Sequence, residues 1–175
     1  MVRLYKCHVL SYLEGATPAV YHARENVLKQ FDDLQSWFLD EAGLSAETAL
    51  REYNLAPLGM RRDIAVLGLL YKVASGLAPP ALAALFRPAA GNLEQFGFAT
   101  TQTFHEKALF DPIEPGHPAI LRRSIYGMIG RFNRLPAHIV NSRTVQIFQR
   151  RLQHKAKSSA GQPGWPEMFR TGVYI

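Results

Sequence analysis

Apolar positions recur at helical spacing over most of the chain. Val2, Tyr5, Val9, Tyr12 and Leu13 share one face, and Gly15 follows as a stop. Thr17-Pro18 caps and opens the next segment. There Val27, Phe31, Leu34 and Phe38 recur at i, i+4, i+7 and i+11, widened by Leu28 and Trp37, until Gly43 ends the helix. If that stripe is core, Phe31→Ala or Phe38→Ala costs roughly 3 to 5 kcal/mol. Ser45 caps a short helix through Tyr53, with Glu47 in the first turn, where the helix N-terminus favours an acid, and Pro57 ends it. Leu58 to Ser75 is a longer pattern with Ile64, Leu67, Leu70 and Tyr71 on one face and Arg61, Arg62 and Asp63 at its entry. Gly76 and Pro79-Pro80 stop it, and Ala81 to Phe86 makes one more short helix.

From Arg87 to Gly116 the periodicity fails, which predicts a long loop with an extended piece around Phe96 to Phe104. Helix signals resume after His117-Pro118. Ile120, Ile125, Ile129 and Phe132 form one stripe, closed by Leu135-Pro136. Ser142 then caps a last helix with Val145, Phe148 and Leu152 inward and Arg143, Arg150, Arg151, Lys155 and Lys157 outward. The Gly- and Pro-rich tail from Ser158 reads as loose, with Trp165 and Phe169 as anchors. The expected fold is mainly α, an irregular helical bundle with a long central loop. Its segments are a helical 1–86, a loop 87–116, a basic helical 117–157 and a tail 158–175.

Composition narrows this picture. At 175 residues and 47% hydrophobic, the chain can bury one core, and two full domains are not expected. The single cysteine, Cys7, excludes an internal disulfide and reads as a small buried thiol in an intracellular protein, nuclear or cytoplasmic. The most apolar stretch, Ile64 to Leu70, runs at once into Tyr71 and Lys72, too short for a membrane span. The start, Met1 to Lys6, lacks the apolar run of a secretory signal and reads as a helix entered partway.

Charge changes the picture more. Met1 to Gly116 carries 10 Lys/Arg against 13 Asp/Glu, whereas His117 to Ile175 carries 10 against one, Glu167. A split of this kind points to polyanion contact, although a solvated basic face gives the same count.

Candidate chemistry is sparse. His8, His22, His105, His117, His138 and His154 lie far apart without metal-ligand spacing, and no metal or other cofactor is expected. Phosphate-loop and nucleophile-elbow patterns are missing, and Cys7 has no evident activating partner. Phe31-Asp32-Asp33 superficially offers paired carboxylates for two divalent ions. Its helical stripe, however, turns both aspartates to solvent. Arg61-Arg62-Asp63 reads either as a phosphate clamp or as an ion-paired turn with Glu47, Glu52 or Asp63 as partner. The remaining candidate is the basic pair of helices. Arg122, Arg123, Arg131, Arg134, Arg150, Arg151 and Lys155, with Tyr126 and Phe132 nearby, suit sugar-phosphate contacts.

The run Leu4-Tyr5-Lys6, Leu10 to Pro18, Leu34-Gln35, Leu55-Ala56-Pro57-Leu58, Arg61 to Val73, Gly76, Arg131-Phe132-Asn133-Arg134-Leu135-Pro136, Ser142, Val145, Phe148 and Leu152 resembles the region after the polymerase palm in non-LTR, LINE-like retrotransposon reverse transcriptases. The resemblance covers about Leu4 to Lys155. It implies a helical thumb and following segment that brace a template–primer duplex, RNA or RNA–DNA hybrid, in a truncated piece of an RNA-directed DNA polymerase. The family's catalytic aspartates belong upstream, and Asp32-Asp33 does not match them, so no catalysis is expected. Two alternatives stand beside this reading: a helical protein–protein interaction module that meets a protein partner or the missing polymerase domains, and a decayed remnant with no selected role.

Overall fold

A computed structural model describes residues 1–15, 21–89, 105–113, 116 and 118–171. The Thr17-Pro18 cap, the extended piece at 96–104 and His117 lie outside them. Among the described residues every regular element is helical, and one isolated antiparallel bridge joins Pro88 to Leu109, so the fold is mainly α. None of the described helices is long and apolar enough to cross a membrane. The chain divides into two compact units, Met1–Asp63 with His154–Tyr174, and Ile64–Gln153.

The first unit opens on a helical run, Val2–Leu4, a π-helical Tyr5–Leu10 and Ser11–Gly15. Tyr5, Leu10 and Leu13 pack with Leu39, Ala49, Leu55 and Leu58. Cys7 faces solvent, which corrects the expectation of a buried thiol: the inward face of this run is taken by Tyr5, Leu10 and Leu13.

The Glu25–Glu41 helix is rotated from its apolar stripe, so that Leu28, Phe31 and Phe38 of that stripe meet the core while Val27, Leu34 and Trp37 do not. Leu28, Gln35 and Leu39 are buried, Phe31 and Phe38 are half-buried, and Val27, Leu34 and Trp37 are exposed. Two contacts set the rotation. Gln35 Nε2 donates to the Ala56 carbonyl at 3.0 Å, and Phe38 stacks on Tyr5 with centroids 4.0 Å apart.

Ser45 caps the Ala46–Tyr53 helix through Thr48 N–H, as the sequence predicts, and Asn54 ends it in the left-handed region at φ 52. Part of the tail expected to be loose is helical, around the two anchors the sequence named, Trp165 and Phe169. Trp165–Glu167 and Met168–Thr171 bury Trp165, Met168 and Phe169, enough apolar surface to order a segment rich in Gly and Pro.

The second unit is built on Leu67, Leu70, Tyr71, Ile129, Phe132, Phe148 and Leu152, all fully buried. Tyr71 stacks on Phe148 at 4.6 Å and donates its hydroxyl to the Ser142 carbonyl. Ser142 Oγ donates to Ile139 rather than capping the last helix. Thr144 takes that role, accepting from Ile147 N–H at 3.2 Å at the start of Val145–Ser159.

The stripe from Ile120 to Phe132 is not one helix but three pieces, Ala119–Arg122, Ile125–Met128 and Ile129–Asn133. Ser124 restarts the chain by accepting from Tyr126 N–H. Gly127 then packs so closely on the Arg122 carbonyl that a Cβ would lie 1.9 Å from its oxygen. Only glycine permits that approach.

Candidate nucleic-acid interface

The two units divide the charge at other boundaries than the halves of the sequence, because Lys155, Lys157 and Arg170 belong to the first. Met1–Asp63 with His154–Tyr174 holds 10 Lys/Arg and 10 Asp/Glu; Ile64–Gln153 holds 10 Lys/Arg against four Asp/Glu. The second unit therefore accounts for the whole formal charge of +6.

The first unit neutralises its cations internally. Arg61 pairs with Glu14, Arg62 donates to both oxygens of Asp32 at 2.8 Å, Lys29 pairs with Asp33 at 2.8 Å and Arg51 with Glu47 at 2.9 Å. These partners differ from those the sequence suggested for Arg61 and Arg62, because the Glu25–Glu41 helix presents the half-exposed Asp32 to the buried Arg62 and turns Asp33 to solvent.

Asp63 is buried at 1% exposure, 3.6 Å from Arg170, and accepts the Tyr21 hydroxyl. Burial raises its carboxyl to about 6 against the opposing pull of Arg170 and Arg62, and burial also raises the Tyr21 hydroxyl. Among the described residues no group of three or more His, Cys, Asp or Glu is placed to hold a metal ion.

Among the described residues no salt bridge lies in the second unit. Six of the seven cations singled out in the sequence belong to it; Lys155 lies in the first unit, half-buried on the last helix. Arg122 is exposed at the end of Ala119–Arg122. Arg123 is half-buried, with its Nε enclosed and unpartnered.

Arg131 and Arg134 are brought together, and the Asp111 carboxylate acts electrostatically on both. Partial burial lowers Arg131 from its usual range, Arg134 adds to that, and Asp111 opposes both. Partial burial likewise raises Asp111, whose carboxylate also accepts from the Ile113 and Gly130 N–H groups. Two guanidiniums thus share one carboxylate already engaged by backbone.

Arg150 is exposed and unpaired among the described residues, as is Arg143. Arg151 is turned onto the His138 carbonyl at the end of Ala137–Val140. Phe132, placed beside the basic face by the sequence reading, is fully buried and edges onto His105 at 5.2 Å, so it cannot touch a ligand.

The residue that sequence reasoning missed is Asn133. Its amide accepts from Leu109 N–H at 2.9 Å and donates to Leu109 C=O at 2.7 Å, standing in for a neighbouring strand. His105 adds a bond from Nε2 to the Phe132 carbonyl at 2.9 Å; burial lowers the imidazole below its usual range, and the neutral ring donates there. These three bonds hold residues 105–109 against Ile129–Asn133 and thereby set Asp111 next to Gly130, where a Cβ would meet its Oδ2 at 2.9 Å.

No protein-family model, curated protein or solved structure matches this chain.

Proposed function

We propose that the chain is a non-catalytic, thumb-like segment that contacts the sugar-phosphate backbone of nucleic acid through the second unit, as the resemblance to the post-palm region of LINE-like reverse transcriptases implies. The observation that carries this reading is the contrast in pairing. The second unit has an excess of six cations, and among the described residues none of its arginines forms a salt bridge. A cation left without a carboxylate neighbour gives up little on meeting a phosphate and releases counterions as it does so.

Arg122, Arg134, Arg143 and Arg150 are the exposed contacts. Arg131 supports them beside Arg134, and Arg151 and Arg123 are held closer to the protein. Phosphate contacts of this type position a duplex without reading its sequence.

The test is binding of a labelled RNA–DNA hybrid over a series of salt concentrations, with an Arg143→Ala/Arg150→Ala variant alongside. Affinity should fall linearly on a logarithmic salt scale, with a slope shallower by about 2 in the variant. Absence of binding at low salt overturns the reading.

A second reading is favoured by the Glu25–Glu41 helix. Trp37 is 63% exposed there, and Leu34 and Val27 are also exposed, an apolar surface suited to a protein partner. Binding through that surface would be nearly indifferent to salt and would be lost in Trp37→Ser.

A further inference from the structure

Arg87 and Phe110 face each other across a short antiparallel pair. Phe110 N–H donates to the Arg87 carbonyl at 2.8 Å, and Ala89 N–H donates to the Ala108 carbonyl at 2.9 Å. Side chains alternate along extended backbone, so Arg87 and Phe110 emerge on one face and Pro88 and Leu109 on the other. Leu109 is buried on its side, while Arg87 and Phe110 are exposed on theirs.

That outer face is one wall of a groove of about 330 Å³, completed by Ile113, Leu121, Phe86 and Tyr126. The volume is at the lower end of the range for sites that enclose a small ligand. Phe86 and Tyr126 meet at 5.3 Å between centroids with their planes 35° apart, and the Tyr126 hydroxyl donates to the Leu85 carbonyl at 3.4 Å, which fixes the ring. Among the described residues the lining carries one charge, Arg87, and no carboxylate. Asp111 lies next in sequence, but its carboxylate is engaged by the Ile113 and Gly130 N–H groups.

We infer that this groove receives an unpaired nucleobase of a single-stranded nucleic acid, with the adjoining phosphate on Arg87. The inference rests on the nucleic-acid reading above and specifies which form of nucleic acid the second unit prefers. An apolar slot with aromatic walls accepts the flat face of any base, and a cation at its rim accepts the charge that the base brings with it. An apolar protein side chain would fill the slot equally well. The excess of six cations on this unit, with Arg87 at the mouth of the groove, selects the polyanion.

The test compares two labelled oligomers of equal length by fluorescence anisotropy at low salt, a thymidine oligomer and one built of abasic residues. They present the same phosphates, and only the first has bases. The native chain should bind the thymidine oligomer roughly ten-fold more tightly, the size of one base–aromatic stack. Phe110→Leu should remove that preference while keeping the affinity for the abasic oligomer, and Arg87→Ala should weaken binding of both.

Equal binding of the two oligomers overturns the groove as a base site and leaves backbone contact standing. A preference that persists in Phe110→Leu places the base elsewhere and also overturns it. If neither oligomer nor hybrid binds, the nucleic-acid reading fails together with the inference.

Discussion

The two units have the same number of basic residues and use them in opposite ways. The first matches 10 cations with 10 anions and ties five of them into ion pairs, whereas the second has 10 against four and, among the described residues, none. In the first unit charge is part of how the chain holds itself together. Arg62, buried to 5% exposure, is tolerable only because Asp32 meets it with both oxygens. In the second, buried aromatic packing and the Asn133 clamp do the holding, and among the described residues no ion pair takes part. Stability and salt response should therefore separate when the two units are perturbed independently.

The largest effect is expected in the second core. Phe148→Ala removes a fully buried ring stacked on Tyr71 and should cost about 3 to 5 kcal/mol by urea denaturation. Phe31→Ala, whose ring is only half-buried, should cost about half as much. The two tryptophans, Trp37 and Trp165, both lie in the first unit, so tryptophan fluorescence follows that unit while far-UV circular dichroism follows the whole chain. A Phe148→Ala variant as stable as the native chain would break the view that aromatic packing sustains the second unit.

Next in size is Asp32→Ala, which strands a buried guanidinium. The expected loss is about 2 kcal/mol, below the roughly 3 to 5 of a fully buried pair because the Asp32 side chain is 40% exposed. A loss below about 0.5 kcal/mol would mean that Arg62 finds solvent by itself and that the first unit does not depend on its ion pairs.

Acid should act on the units with opposite signs. Burial lowers His105 in the folded chain, so as pH falls through the usual histidine value near 6.5 the unfolded chain binds the proton more readily than the folded chain, and stability falls. Asp63, raised to about 6, behaves the other way. Between pH 6 and its usual 3.8 the folded chain binds the proton more tightly, so its contribution to stability grows as pH falls through that window. Denaturation midpoints measured from pH 7 to pH 4.5 should fall more steeply in Asp63→Asn than in the native chain and less steeply in His105→Asn. Parallel curves for all three would contradict both assignments.

The helical class and most helix boundaries could be read from spacing because capping and stop signals are local. The Ser45 cap and the stop at Gly76, in the left-handed region at φ 68, act within four residues. What spacing could not show is which face of the Glu25–Glu41 helix is buried. Its most apolar stripe contains Val27 and Leu34, yet long-range contacts from Ala56 and Tyr5 turn Gln35 inward. Asn133 was hidden for the same reason. A polar residue between Phe132 and Arg134 reads as surface until its partner, Leu109, comes from 24 positions away. The candidate cations were legible as a count, but not their division into exposed Arg150, tethered Arg151 and Lys155 of the other unit. The five-residue step from Ile120 to Ile125 was a visible sign of the broken helix, since a continuous one advances by three or four.

The smallest expected effects make the sharpest comparison. Lys29→Ala removes an exposed i, i+4 pair with Asp33, worth about 0.3 to 0.5 kcal/mol, and Arg150→Ala removes an exposed cation with no partner among the described residues, so both should leave stability within about 0.5 kcal/mol of the native chain. Binding should tell them apart. Arg150→Ala should reduce the salt slope for the RNA–DNA hybrid by about 1, and Lys29→Ala should leave it unchanged, because its charge is already spent on Asp33 within its own unit. Equal slopes for the two variants would mean that net charge alone attracts the polyanion. A difference confined to Arg150 would mean that the unpaired cations of the second unit are the contacts themselves.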